Sequence, residues 1–129
     1  MQTTYESLIL KAKEALNNAY APYSEFKVGA CALFESGNTY VGCNVENASY
    51  GLSLCAERNA LSSAKAAGEQ SALIAIAIVS ENMPVCTPCG ACRQWVFEFS
   101  QDAQVILENQ DGTIKVFDIK ELLPYGFSL

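Results

Sequence analysis

Histidine is absent from the 129-residue chain. This excludes imidazole metal ligands and every catalytic arrangement built on a His general base, so any metal site must be rich in thiolates. Positive charge is also scarce: eight Lys and Arg stand against 14 Asp and Glu, for a formal net charge of −6, and the few cations form no run. Such a balance disfavours a polynucleotide partner, whose backbone is held by clustered cations that release counterions. Long apolar runs are missing as well. The most apolar stretch, Ala72 to Val79, is far too short to cross a bilayer, and the amino terminus shows no basic-then-apolar signal segment. The expectation is a soluble, cytoplasmic protein without a membrane partner.

Hydrophobic residues make up 50% of the chain and charged ones 17%. A chain of this length fits one domain able to bury roughly two-thirds of its unfolded surface, so such a composition implies a dense core or a buried subunit interface. Six cysteines suggest a disulfide set, but a domain with this apolar content has little need of staples. Cys86, Cys89 and Cys92 recur every third residue, which suits a metal or reactive thiolates in a reducing compartment.

Apolar spacing from Thr3 to Tyr20 predicts an amphipathic helix stopped by Ala21-Pro22. Phe26 to Leu33 and Thr39 to Val45 read as a hairpin across the Glu35-Ser36-Gly37-Asn38 turn. After a polar bend, Leu54 to Ala67 predicts a helix capped by Ser53 and closed by Gly68. Ala72 to Val79 reads as a strand buried on both faces, and Gly90 to Phe99 as the helix that follows it. Strands over Gln104 to Leu107 and Thr113 to Phe117 and a short Ile119 to Leu123 helix complete the chain. The expected fold is α/β, a single domain over 1–129, with a mixed five-stranded sheet between helices on both faces.

Two segments carry chemistry: Cys55-Ala56-Glu57-Arg58 at one helix start and Pro88-Cys89-Gly90-Ala91-Cys92-Arg93-Gln94 at another. One helical turn brings the Cys89 and Cys92 sulfurs to the same side, where helix-start amides favour thiolates. Cys55 supplies a third ligand. Three protein ligands leave a zinc ion one open position for water, the mark of a catalytic site. Glu57, two residues past a ligand, can take the water's proton without ligating the metal. Three thiolates leave Zn²⁺ with a net charge of −1, and the Arg58 guanidinium can withdraw some of it by hydrogen bonding to sulfur. Cys86 offers an alternative, a closed four-thiolate structural site, but the extended Thr87-Pro88 segment is expected to keep it outside the cluster. Cys31 and Cys43 read as small packing residues, and Trp95 as core or interface.

These two motifs resemble those of the cytidine deaminase family, in its short form with three cysteine ligands, and the resemblance runs over essentially the whole chain. It also includes Ala21-Pro22-Tyr23-Ser24 leading into Phe26-Lys27-Val28-Gly29-Ala30, Gly42-Cys43-Asn44-Val45-Glu46-Asn47-Ala48-Ser49-Tyr50, and Glu121-Leu122-Leu123-Pro124 followed by Phe127. The resemblance implies a three-layer α/β/α fold, one Zn²⁺ per chain on Cys55, Cys89 and Cys92, and Glu57 as proton shuttle. It further implies that Phe26 packs on a pyrimidine, Asn44 and Glu46 bind the ribose hydroxyls, and Ala56 offers its backbone to the base. By the same resemblance the assembly is a homotetramer in which Phe127 of a neighbouring subunit completes each pocket. The expected reaction is deamination of cytidine and 2′-deoxycytidine in pyrimidine salvage. The rival readings are a small deaminase of a cytosine-bearing nucleoside antibiotic and a non-catalytic zinc module.

Overall fold

The computed structural model describes residues 4–129. Helix α1 spans Tyr5–Leu16, where the Thr4 hydroxyl caps the start by accepting the Ser7 N–H; Thr3, the predicted first residue, lies outside the described residues. The helix stops four residues before the predicted Tyr20. At Asn17 and Asn18 the backbone tightens into bonds to Glu14 and Ala15, as poor helix formers with competing side chains allow. Tyr20 instead bridges Val45.

Strands β1 (Val28–Phe34) and β2 (Thr39–Cys43) form the predicted hairpin, and helix α2 covers Ala56–Ala66. Strand β3 (Leu73–Ser80), helix α3 (Gly90–Phe99), strands β4 (Gln104–Glu108) and β5 (Ile114–Asp118) and the short α4 (Ile119–Leu122) follow. The five-stranded sheet has the order β2-β1-β3-β4-β5 and is mixed, since β3 and β4 run parallel while the other neighbours are antiparallel. Among the described residues no helix is long and apolar enough to cross a membrane.

Strand side chains alternate between the two faces. Ala30, Ala32, Ile76, Ile78, Val105 and Leu107 pack beneath α2 and α3, whereas Cys31, Leu33, Ala75, Ala77, Val79 and Ile106 pack against Leu8, Ile9, Ala12 and Leu16 of α1. The result is the expected three-layer α/β/α arrangement. Two strand glycines set how closely the helices approach. A Cβ on Gly29 would lie 2.0 Å from the Ala12 carbonyl oxygen of α1, and one on Gly42 would lie 2.4 Å from the Ala60 nitrogen of α2.

Ser53 is not the cap of α2. Val45 and Leu54 exchange backbone hydrogen bonds of 3.0 and 2.9 Å, which keeps Ser53 and Leu54 extended and delays the helix until Ala56, with Cys55 at the cap position. The Ser53 hydroxyl accepts the Asn47 N–H instead. The second strand likewise ends two residues before the predicted Val45. There the Asn44 N–H still bonds the Val28 carbonyl at 3.2 Å, but its side chain takes the place of the return ladder bond, accepting the Val28 N–H and donating to the Phe26 carbonyl, each at 2.8 Å.

Candidate metal and active site

The cap residue of a helix is extended while the amides of its first turn point outward, leaving a partial positive charge. Cys55 occupies that position on α2 and Cys89 on α3, and Cys92 lies one turn into α3. The two helices bring the sulfurs of Cys55, Cys89 and Cys92 within 4.8 Å of one another. The Cys55 and Cys89 sulfurs are 3.9 Å apart, and the Cys92 N–H points to the Cys89 sulfur at 3.5 Å. Three soft donors converging from two positive helix ends fit a zinc ion.

Arg58 donates from Nη2 to the Cys55 sulfur at 3.3 Å, and its buried Nε has no partner among the described residues. The shared hydrogen bond with Cys92, helped by Arg58, holds the Cys55 thiol down at about 5, and the same bond together with burial pushes Cys92 far up. Cys86 lies outside the cluster, and its half-buried thiol is raised by desolvation. Cys31 is fully buried and pushed to about 11 by desolvation, which suits a packing residue.

Glu57, in the first turn of α2, is only 4% exposed. Burial raises its pKa, and the negative Cys55 adds to the effect, so the carboxyl is poised to hold a proton that an exposed glutamate would lose. Glu57, Cys55 and Cys89 line a cavity of about 260 Å³. Phe26, Asn44, Glu46 and Ala56 line the same cavity, so every substrate residue expected within one chain converges there.

Asn44 and Glu46 reach it from just beyond the end of β2. Both also fasten the loop before β1: Glu46 accepts the N–H groups of Tyr23 and Ser24 at 2.9 and 3.1 Å and the Ser24 hydroxyl. The Ser24 hydroxyl, foremost, holds the Glu46 carboxyl below the usual range. Each side chain keeps capacity for a ligand, since the amide retains one N–H and the carboxylate a free lone pair.

Phe127 does not line its own chain's cavity. It is 66% exposed, and its carbonyl accepts a 2.9 Å bond from Gln94 Nε2. Trp95 is 37% exposed and stands beside Phe99, so it is not a core residue. The sequence carried no sign that Val28, Ser53, Leu54, Cys86 and Thr87 also line the cavity. It gave no role to Arg93, which bonds the carbonyls of Pro88 and Leu122.

Residues 2–108 match the family model of the cytidine and deoxycytidylate deaminase zinc-binding region. The chain is 44% identical over 124 residues to the cytidine deaminase of Halalkalibacterium halodurans, covering 95% of this chain and 93% of the relative. It is 41% identical over 118 residues to the cytidine deaminase of Mycobacterium tuberculosis, covering 92% and 85%. The crystal structure of the Burkholderia pseudomallei cytidine deaminase superposes with a TM-score of 0.91 at 49% identity, covering 97% of this chain and 100% of that one.

Proposed function

The chain belongs to the cytidine and deoxycytidylate deaminase family, and we propose that it hydrolyses cytidine and 2′-deoxycytidine to uridine and 2′-deoxyuridine with release of ammonia. The observation that carries this reading is a single cavity lined by a buried carboxyl, Glu57, and by Cys55 and Cys89, two members of a three-sulfur cluster completed by Cys92. The chain is a zinc-dependent enzyme of the hydrolase class. Cys55, Cys89 and Cys92 are the residues that would hold the ion. When bound, zinc supplies the Lewis acidity that makes water nucleophilic near neutral pH.

Glu57 moves the protons. Its raised pKa lets it accept one proton from the attacking water and deliver it to N3 of the ring, then pass the second to the departing 4-amino group. Phe26 supplies an apolar wall for the pyrimidine, and the Ala56 backbone reads the base edge. The remaining N–H of Asn44 and lone pair of Glu46 hold the ribose hydroxyls. Free cytosine would leave these polar groups without partners and is rejected on that account. Arg58 donates to the Cys55 sulfur and would there withdraw charge from the ligand set of a bound ion.

Exposed Tyr20, Tyr23, Tyr50, Leu52, Phe127 and Leu129 give a small domain more apolar surface than a monomer needs, which supports a homotetramer. In that assembly Phe127 completes a neighbour's cavity. The setting is cytoplasmic pyrimidine salvage.

An ultraviolet assay with cytidine, 2′-deoxycytidine, cytosine, cytidine monophosphate and an oligonucleotide tests the reaction. Turnover of the two nucleosides alone is expected, falling by ~10²–10⁴-fold in Glu57→Gln with zinc content unchanged. Near-parent turnover in that variant would remove Glu57 from the role. Mixing Glu57→Gln chains with Phe127→Ala chains tests the neighbour's contribution: sites with low KM should reappear, and mixed tetramers showing only the weak binding of the Phe127→Ala parent would refute it.

A further inference from the structure

Arg93 is half-buried, and the two ion pairs among the described residues do not include it. Its guanidinium instead joins two distant stretches of backbone. Nε donates to the Pro88 carbonyl at 2.8 Å, immediately before the ligand Cys89, and Nη1 donates to the Leu122 carbonyl at 2.8 Å. Leu122 is the last residue of α4, where carbonyls lack helical partners and a cation is favoured. A planar fork with donors on two edges can serve both acceptors at once, which a lysine ammonium on a flexible stem does less well.

Beyond Leu122 the tail lies against α3. A Cβ on Gly126 would sit 2.9 Å from the Leu123 side chain and 3.0 Å from the Phe97 ring of α3, so only glycine lets the tail lie this close without displacing a side chain. Gln94 then holds the Phe127 carbonyl at 2.9 Å. Arg93, Gln94 and Phe97 thus fasten the tail to the helix that begins with two of the three sulfurs.

We propose that Arg93 is a positioning residue coupling the metal loop to the carboxy-terminal tail, so that zinc retention and the order of the Phe127 segment rise and fall together. With Nε released, Pro88 is free to shift and carries the Cys89 sulfur away from those of Cys55 and Cys92. With Nη1 released, the end of α4 frays and the tail loses its first anchor. Loosening either end loosens the other, because one rigid group holds both. The effect on substrate rests on the proposed role of Phe127 in a neighbour's cavity; the effect on zinc does not.

The test measures zinc transfer from the holoenzyme to a colorimetric chelator in four proteins: the parent, Arg93→Gln, a truncation after Leu123, and the two combined. Arg93→Lys, which can keep one of the two bonds, serves as a fifth. Loss of a group that orients a ligand weakens metal binding about 10–100-fold, and Arg93→Gln should release zinc faster by that order, with Arg93→Lys between it and the parent. Truncation should also accelerate release, and the combined variant should be no faster than Arg93→Gln alone, because both changes break one link. Hydrogen exchange in the 123–129 segment should rise in Arg93→Gln. Parent-like zinc release in Arg93→Gln, or effects that multiply in the combined variant, would overturn the coupling. If Arg93→Gln does not fold, Arg93→Lys with and without the truncation gives the same comparison. At saturating zinc, KM should rise more than kcat falls. Faster zinc release with unchanged KM supports the coupling and rejects the placement of Phe127 in a neighbour's cavity.

Discussion

Replacing Gly42 with alanine should disable the enzyme without unfolding it. Gly42 lies in β2 beneath α2, and an added Cβ would stand 2.4 Å from the Ala60 nitrogen and 2.5 Å from the Ala56 carbonyl oxygen. These atoms are the donor and acceptor of one helical hydrogen bond, so no side-chain rotation can relieve the clash. Ordinary contact begins near 3.4 Å, and the helix must therefore withdraw by about 1 Å. Its first turn carries Cys55, Glu57 and Arg58. Overpacking of this kind costs about 1–3 kcal/mol, well inside a typical domain stability of about 5–15 kcal/mol. A displacement of about 1 Å at reacting groups can cost ~10²-fold in rate. The assay compares kcat per bound zinc and thermal midpoint for Gly42→Ala and Gly29→Ala. Gly29 faces α1, which carries no site residue, across a closer clash of 2.0 Å, so Gly29→Ala should lose more stability and less kcat. A folded Gly42→Ala protein within threefold of parental kcat would refute the argument that helix seating sets the site.

Three further outcomes follow from the same geometry. Arg58→Gln removes the hydrogen bond that withdraws charge from the Cys55 sulfur, so the acid limb of the activity profile should move to higher pH; an unmoved limb at normal zinc content would exclude that role. Cys86→Ser should retain one zinc per chain and Cys89→Ser should not, and metal analysis showing loss from Cys86→Ser would restore the four-thiolate alternative. Glu69 is 7% exposed, and bonds from the Ser71 and Ser36 hydroxyls hold its carboxyl at about 2. Its folded-state pKa lies below the ordinary 4.5, so its stabilisation is full above that range and is lost as pH falls towards 2. Denaturant midpoints measured from pH 5 to 2 should therefore fall less steeply in Glu69→Gln than in the parent, and parallel curves would contradict the assignment.

The parts of the molecule legible in the sequence are those fixed by local pattern. Pro88 and the cysteine spacing mark α3 to the residue, and the apolar run at Ala72 marks the central strand, because neither depends on distant partners. The metal set was legible because two helix starts bearing cysteines constrain where sulfurs can point. What escaped depends on backbone acceptors or remote segments. The cap at Ser53 failed because Val45, not the local sequence, keeps residues 53 and 54 extended. The second strand stops short of Val45 because the Asn44 side chain bonds Phe26 and Val28. Arg93 offered no signal, since both of its partners are carbonyls that any residue type would supply. Glu69 reads as a loop carboxylate until Ser36, Asn38 and Tyr40 arrive from the hairpin.

The sulfurs of Cys55 and Cys89 meet across a separation of 34 residues, and the span between them contains all of α2 and the whole central strand. An ion gripping both ends is a cross-link over that loop as well as a reagent. Closing a loop of this size removes denatured-state freedom worth roughly 4 kcal/mol in the chain-entropy model, a large share of what holds a domain of this size together. Stripping the metal therefore releases the loop that carries the sheet's middle strand, and an apoprotein of this architecture sits closer to unfolding as well as to inactivity.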